Sequence, residues 1–250
     1  MTPPVALLTW DSAFFGFPVA RVTTPALSPA EAAAVRAWCT AHSVRVCYFL
    51  VEAADRASGA AAEEAGFRRV DERVTLERAP GMDDIQIPAV RAYHPSDLDA
   101  LQAIARVSHH DSRFYADSRF PRERADALYA AWIARDAERD GGRVWVTEAD
   151  GAPAGYCTTV LERDEAGAWV GNIGLIAVAG WAQRRGLGRA LLAAACMALG
   201  AAMRGADMRG ADTADTARLR VVTQGRNAAA HALYEQAGFT RTRHQVWWHG

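Results

Sequence analysis

No lysine occurs in the 250-residue chain; all 28 of its basic residues are arginine, a bias of codon usage rather than of function. Set against 29 acidic residues they leave a formal net charge of -1, so no excess of one sign draws the chain to nucleic acid or to an anionic membrane. Cysteine is scarce too. Cys39, Cys47, Cys157 and Cys196 are scattered, with no Cys-x-x-Cys pair and no histidine cluster beside them, which excludes a zinc pattern and demands no disulfide framework. Four reduced, mostly buried thiols and no metal are expected. No run approaches the roughly 18 apolar residues of a membrane span. Met1 to Trp10 lacks a basic stretch followed by an apolar core, so no signal peptide is read and a cytoplasmic location is expected. Half the residues are hydrophobic and 23% charged, an ordinary globular profile for one large domain or two modest ones.

What the chain does have is a glycine-rich phrase between an apolar strand and a helix. Gly171 to Ala190 reads as a strand over Ile173–Val178, a short turn, then Gln183-Arg184-Arg185-Gly186-Leu187-Gly188-Arg189 running into an alanine-rich helix. A glycine turn that opens a helix presents backbone N–H groups without intrahelical acceptors at the positive end of the helix dipole, which suits a pyrophosphate. Gly186 and Gly188 would let the backbone approach such a ligand where a Cβ would intrude. A Walker loop would end Gly-Lys-Ser/Thr, and this phrase ends Gly-Arg-Ala; a dinucleotide fingerprint would need Gly-x-Gly-x-x-Gly. Neither fits. By itself the phrase also suits a helix start whose glycines serve packing.

Taken in order, the chain alternates strands and helices. Ala6–Val22 gives an apolar entry, a Phe-rich turn around Gly16 and Pro18, and a short strand. Ser28, Pro29 and Glu31 open a helix running to about His42. A strand over Val44–Val51, a helix over Ala57–Ala65 stopped by Gly66, and a strand over Arg68–Arg78 follow. Residues 79–84 read as a linker, and a strand over Ile85–Ala92 and a helix over Leu98–Val107 come next. From His110 to Ile133 arginines interleave with aromatics, a pattern that either holds a nucleotide by stacking or pins a loop to the core. Arg143–Glu148 and Ala154–Leu161 form a hairpin. After the glycine-rich helix, Met-Arg-Gly-Ala-Asp occurs twice, from Met203 and from Met208, and reads as a mobile loop expansion. A strand over Leu219–Thr223, a helix ending at Gly238 and a strand over Arg243–Trp248 close the chain. The pattern predicts an α/β fold around a mixed, mostly antiparallel sheet.

Two segments repeat each other. Each is strand, helix, Ala-Gly-Phe-x-Arg, strand, once over residues 45–70 and again over 218–242. An internal structural repeat is therefore expected, with residues 1–80 a truncated copy of the end of a complete domain over 85–250.

The block Val222-Thr-Gln-Gly-Arg-Asn227, followed by Leu233-Tyr234 and Gly238-Phe239, comes after the glycine phrase at a separation that gives the pair meaning. Together they resemble the acyl-CoA-binding motif and the last motif of the GCN5-related N-acetyltransferase (GNAT) superfamily over about residues 85–250. The resemblance implies that acetyl-CoA lies along Ile176, Ala177 and Val178. Its pyrophosphate would rest over the amides of Gln183, Arg184, Arg185, Gly186, Leu187, Gly188 and Arg189, and its chain against Asn227. It further implies that Tyr234 donates a proton to the departing thiolate. A phenol with a pKa near about 10 is protonated at neutral pH and suits that task; filling the helix–sheet interface is its plain alternative. N–H groups of the 176–178 strand, freed where it leaves its neighbour, would stabilise the oxyanion.

Closer still, Leu8-Thr-Trp-Asp with Phe14-Phe15-Gly16, Gly66-Phe67, Asp71, Ser112-Arg113-Phe114, Tyr129, Trp132-Ile133 and Asn227 are similar to the TDP-fucosamine acetyltransferase family, nearly end to end. That likeness implies a dTDP-linked 4-amino-4,6-dideoxy sugar as acceptor, read by Arg113, Phe114, Tyr129 and Trp132. Asp71 falls on an acidic position that could act as a base through water, or stand as an exposed strand-edge carboxylate. His109 and His110 lie near the acceptor loop and read as packing or solvent-facing residues. The extra Met-Arg-Gly-Ala-Asp copy and a second Asp-Ser-Arg-Phe from Asp117 depart from the family and leave the sugar open. If the Arg113–Trp132 region packs inward, another small amine, an antibiotic or a protein N-terminus becomes the favoured acceptor. A non-catalytic CoA-binding module is a further alternative. Trp247 and Trp248 on an exposed strand edge would suit a homodimer.

Overall fold

The computed structural model describes residues 2–81, 90–139, 142–207 and 217–250. Its strands are β1 (Val5–Leu7), β2 (Val19–Val22), β3 (Val46–Glu52), β4 (Arg68–Arg78), β5 (Val90–Ala92), β6 (Gly142–Ala149), β7 (Ala152–Arg163), β8 (Trp169–Val178), β9 (Arg218–Gln224) and β10 (Thr240–His249). They form one ten-stranded sheet in the order β1-β2-β3-β10-β4-β9-β8-β7-β6-β5. Only β2–β3 and β8–β9 are parallel, so the sheet is mixed and mostly antiparallel, as the pattern predicts. The helices are α1 (Thr9–Phe15), α2 (Pro29–Ala41), α3 (Arg56–Glu64), α4 (Leu98–Ser108), α5 (Arg113–Ala116), α6 (Arg122–Glu138), α7 (Leu187–Asp207) and α8 (Ala228–Gln236).

Period-two alternation sorts the strands between cores. In β3, Cys47, Phe49 and Val51 join the core under α2 and α3, while Val46 and Tyr48 join an aromatic core with Phe15, Phe114 and Phe120 on the opposite face. Leu191, Leu192, Leu199 and Met203 of α7 fill a third core against β9, α8 and Phe239.

The two similar segments form matching units, β3-α3-β4 and β9-α8-β10. Asp55 (φ -82°, ψ 78°) and Asn227 (φ -80°, ψ 76°) occupy the same cap position, and each side chain accepts from the N–H three residues on. Gly66 and Gly238 both take positive φ, 86° and 81°, each before a buried Phe. The units exchange their last strands: β10 pairs with β3, β4 pairs with β9, and β4 and β10 run antiparallel between them.

Several expectations are corrected here. Thr9–Phe15 is a helix rather than a turn, closed by Gly16 in the left-handed region, because a helix lets Phe15 reach the aromatic core. The strand expected at Ile85–Ala92 is described over Val90–Ala92; residues 82–89, including part of the linker, lie outside the described residues. The first Met-Arg-Gly-Ala-Asp copy is the last part of α7 rather than loop, since Met203 is needed in the core; the second copy lies outside the described residues. Contrary to the expectation of no sufficiently apolar run, Leu187–Ala206 is long and apolar enough to cross a membrane by length and composition. It is 61% buried against the sheet, which makes it a core helix of this fold. Finally, β10 is paired on both sides and offers no free edge for a dimer. Trp247 packs on Tyr48 and Trp248 joins the core under α2 and α3.

Candidate active site

The parallel strands β8 and β9 pair only over Val170–Ile173 and Arg218–Val221. Beyond Ile173, β8 runs on to Val178 without β9. A bulge drives them apart. Cys157 of β7 faces Ile176 and Thr159 faces Ile173, so β8 spends one residue more than β7 over the same interval. Gly174 sits in that interval, where an added Cβ would stand 2.5 Å from Thr158 Oγ1. Thr158 Oγ1 in turn accepts from the Leu175 N–H at 3.0 Å. A glycine inside a strand is the sequence signal for such a bulge; Thr158 carried none.

Past the bulge, the Ala179 N–H donates to Ala154 on the β7 side at 2.8 Å. Alternation along the strand then turns the Ile176 and Val178 N–H groups away from β7, into the opening left by β9. The Val178 carbonyl on that side accepts from Gln183 Nε2 at 3.2 Å. Two convergent N–H donors at a gap in a sheet can hold a carbonyl oxygen as it gains negative charge.

The chain turns directly from these donors into α7. A short 3-10 turn over Gly180–Ala182 is followed by Gln183, then Arg184 at φ 65° and Gly186 at φ 79°. The first α7 bond back into this turn is Ala190 N–H to the Gly186 carbonyl at 3.1 Å, so the amides of Leu187, Gly188 and Arg189 lack intrahelical acceptors. Left-handed residues beside a helix N-terminus make a concave nest of N–H groups that suits phosphate oxygens. Arg185 pairs with Asp150 at 2.9 Å on the surface. Arg189 reaches a cavity between α7 and α8, with Arg78, Leu192, Leu233 and Ala237.

The two glycines of the phrase serve different ends. Gly186 has open space around a would-be Cβ and is required by its φ, whereas at Gly188 a Cβ would meet Leu233 and Val178 at ordinary distances of 3.9 and 4.0 Å. Gly186→Ala is therefore expected to cost about 1 kcal/mol in stability and, with CoA on this nest as the motif resemblance implies, to weaken its binding about threefold to tenfold by distorting the nest. Gly188→Ala should leave the melting temperature within a degree or two, so any loss of CoA affinity there reports crowding of the ligand itself. Calorimetric titration of CoA into both variants reads the difference.

Tyr234 of α8 is 3% exposed, and its ring is tilted against Phe239 at 6.1 Å between centroids. Burial pushes its phenol well above the usual range, with the neighbouring Cys157 thiol adding to the effect. Cys157 lies directly across from Ile176, and Tyr234 shares the core under α7 with both. Asn227 has its Oδ1 committed to the Ala230 N–H as the α8 cap, at 3.0 Å.

On the opposite face of the sheet from α7, the gap opens into a groove of about 500 Å³. Trp132, Arg135, Asp136 and Arg139 of α6 wall it, and Thr159, Asn172, Gly174, Arg220 and Val222 form its floor. Trp132 is thus the one residue of the expected acceptor set at the groove. Arg113, Phe114 and Tyr129 pack inward. The Arg113 guanidinium is buried between Tyr48 and Trp247, 4.2 Å from each ring centroid, with Phe114 at 4.3 Å. Its Nη1 has no hydrogen-bond partner among the described residues. Tyr129 stacks on His109 at 4.5 Å, and His109 Nε2 is 2.9 Å from the Tyr156 hydroxyl. Burial lowers His109 to about 4, with His110 adding to the effect, so His109 is a neutral packing residue at pH 7. His110 is exposed.

Asp71 is buried rather than exposed. It lies on β4 opposite Trp247 of β10, past the end of the β4–β9 pairing, 5% exposed, and accepts from the Glu72 N–H at 2.8 Å with Arg226 at 3.6 Å. Burial raises it to about 6, against the opposing pull of the Glu72 N–H and Arg226. On β4 it sits four residues from Thr75, the partner of Val222, roughly 13 Å along the strand. Among the described residues no three His, Cys, Asp or Glu side chains gather as a metal site would require.

Residues 140–241 match the family model of the acetyltransferase (GNAT) domain. The chain is similar in structure to a GCN5-related N-acetyltransferase from Sphaerobacter thermophilus, at TM-score 0.61 and 14% identity over 98% of this chain and 75% of that one. A GCN5-related N-acetyltransferase from Kribbella flavida gives 0.60 and 16% over 100% and 87%. A functionally unknown conserved protein from Staphylococcus epidermidis gives 0.62 and 11% over 97% and 88%. These likenesses show the fold. No curated protein matches the sequence.

Proposed function

We propose, from the match of residues 140–241 to the acetyltransferase (GNAT) domain model, that this chain is an N-acetyltransferase that moves the acetyl group of acetyl-CoA directly to the amine of an acceptor seated in the α6 groove. The observation that carries the reading is the gap between β8 and β9. Two free N–H groups on β8, a nest at the start of α7 and a buried phenol in the same core as Ile176 support it.

The amine nitrogen attacks the thioester carbonyl carbon, the C–N bond forms and the C–S bond breaks. The Ile176 and Val178 N–H groups face the carbonyl oxygen as charge builds on it. Tyr234 gives its proton to the leaving sulfur, and the proton of the attacking nitrogen leaves through water in the open groove. The amides of Leu187–Arg189 and the nest at Arg184–Gly186 hold the pyrophosphate, with Gln183 and Arg185 flanking it. Asn227 acts by fixing the start of α8, and so the position of Tyr234. Residues 1–80 are proposed as a truncated acetyltransferase-like half beside the complete domain over 85–250.

For the acceptor we carry forward a nucleotide-linked amino sugar of the dTDP-4-amino-4,6-dideoxyhexose type, on the likeness of the motifs and on a groove that offers both cations and carboxylates. The inward packing of Arg113, Phe114 and Tyr129 favours the second reading, another small amine. Thiol release from acetyl-CoA against a panel of nucleotide amino sugars, simple amines and peptides separates them. Turnover of nucleotide sugars alone supports the first reading. Turnover of simple amines with silence on the sugars removes it, and release of thiol with no acceptor in the panel removes both.

A further inference from the structure

The sheet floor beyond the groove is polar where a sheet centre is ordinarily apolar. On the face that carries Arg220 and Val222, register brings Glu77 opposite Arg220, Thr75 opposite Val222, and Arg73 opposite Gln224. The next strand adds Arg243 opposite Thr75 and Gln245 opposite Arg73, and β3 adds Glu52 opposite Gln245. Most of these charges are answered by a neighbour. Arg220 bonds Glu77 at 2.6 Å, Arg218 bonds Glu77 at 3.2 Å and Asp164 at 2.6 Å, and Arg243 bonds Glu52 at 2.6 Å.

Arg73 is the exception. It is half-buried, and its Nη1 donates to the Gln245 side-chain oxygen at 2.7 Å, a neutral acceptor. Among the described residues no carboxylate lies within ion-pair distance of it. The charges that act on it most strongly are Arg243, Arg220 and Arg113, all of its own sign, opposed by Glu52. Gln245 is in turn held by Glu52 at 3.0 Å, so the amide that meets Arg73 is fixed in place. A half-buried guanidinium with one neutral partner, next to three like charges, is an unfavourable arrangement unless something anionic completes it. Its place is also telling. The groove ends at Val222, one residue pair from Arg73 on the same face, and a second cavity of about 380 Å³ begins past Gln224 at Gly225, Arg226 and Asp71.

We propose that Arg73 is a binding residue for an anionic group of the acceptor, a phosphate or a carboxylate, held over the floor between the groove and the Asp71–Arg226 cavity while the amine reaches the β8–β9 gap. This rests on the groove being the acceptor site. It narrows the substrate class to amines that carry an anion, and it gives the diphosphate of a nucleotide-linked sugar a place in the fold that Arg113 does not provide.

The test is calorimetric titration of the full chain, presaturated with CoA so that the nest before α7 is occupied. Inorganic pyrophosphate is injected in one series and succinate in another, into the wild type, Arg73→Gln and Arg73→Lys. The expected result is saturable binding of at least one anion to the wild type. It should weaken roughly tenfold or more in Arg73→Gln and return to within about threefold in Arg73→Lys, which keeps the charge. Melting curves confirm that each variant is folded, and Arg73→Met replaces Arg73→Gln if that one is not. The pyrophosphate and succinate series tell phosphate from carboxylate. Equal binding in wild type and Arg73→Gln, or none in the wild type, overturns the proposal. Failure of CoA itself to bind overturns the acetyltransferase reading instead, and the anion series still reports on Arg73.

Discussion

Replacing Tyr234 by phenylalanine is expected to lower kcat for acetyl transfer by about a hundredfold to a thousandfold, the usual worth of a positioned general acid, and to leave the KM for acetyl-CoA within about threefold. The reason is that the substitution removes one hydroxyl and nothing else. The ring stays packed against Phe239 and the α7 core, so the melting temperature should barely move. Burial already holds the phenol in its protonated form, so the wild-type rate should show no alkaline limb from this group below about pH 10. Steady-state kinetics across pH, with melting curves alongside, measure all three. An unchanged kcat would move proton donation to another group while leaving the fold and CoA site as they are.

Asp117→Ala should be the most destabilising single change, by about 3 to 5 kcal/mol, because it strands the buried His249 and the half-buried Arg119. The Asp117 side chain is 1% exposed and accepts from His249 Nδ1 at 2.8 Å, from Arg119 Nη2 at 2.7 Å and from the Arg119 N–H at 3.1 Å. Arg119 then reaches the Gly250 and Arg45 carbonyls at 2.8 and 3.2 Å. The carboxylate thereby ties the loop before α6 to β3 and to the end of β10.

Burial works to raise Asp117, but the bonds from His249 and Arg119 outweigh it and hold the carboxyl well below the usual range. Its stabilisation is present above the unfolded value near about 3.9 and is lost only as pH falls toward the depressed folded value. His249 is lowered to about 4, chiefly by burial. Between about pH 6.5 and 4 the unfolded chain therefore binds a proton that the folded chain refuses, and stability falls as pH falls through that window. His109, also lowered to about 4, adds in the same direction, while Asp71, raised to about 6, takes up a proton in the fold and opposes them. Urea midpoints at pH 7 and pH 5 should show wild type losing stability on acidification, with Asp117→Ala starting several kcal/mol lower. A loss under 1 kcal/mol in the variant would mean that the loop is held by its aromatics alone.

That lock also explains the second Asp-Ser-Arg-Phe phrase. The first copy buries Arg113 between two aromatic rings, and the second supplies Asp117, Arg119 and Phe120 to the same interface. In the sequence both copies look like a loop that could read a ligand. Whether an arginine among aromatics faces solvent or core depends on which strands lie beneath it. Here those are β3 and β10, which lie more than 180 residues apart in the chain.

The amino-acid sequence by itself determined whatever depends on neighbours along the chain. It marked the alternation that makes strands and helices, the glycine turn into α7, and the Ser28 start of α2. The repeated Ala-Gly-Phe phrase and the ordered motifs carrying Tyr234 were legible for the same reason: each is a local requirement of backbone geometry, written in a few consecutive residues. Tertiary structure alone decided the exchange of β4 and β10, the burial of Arg113 and Asp71, and the lone charge at Arg73. These depend on pairings such as Arg73 with Gln224 and Gln245, set by strand register across the sheet. Hydrogen bonds between distant strands fix that register, and no short stretch of sequence contains both sides of the pair.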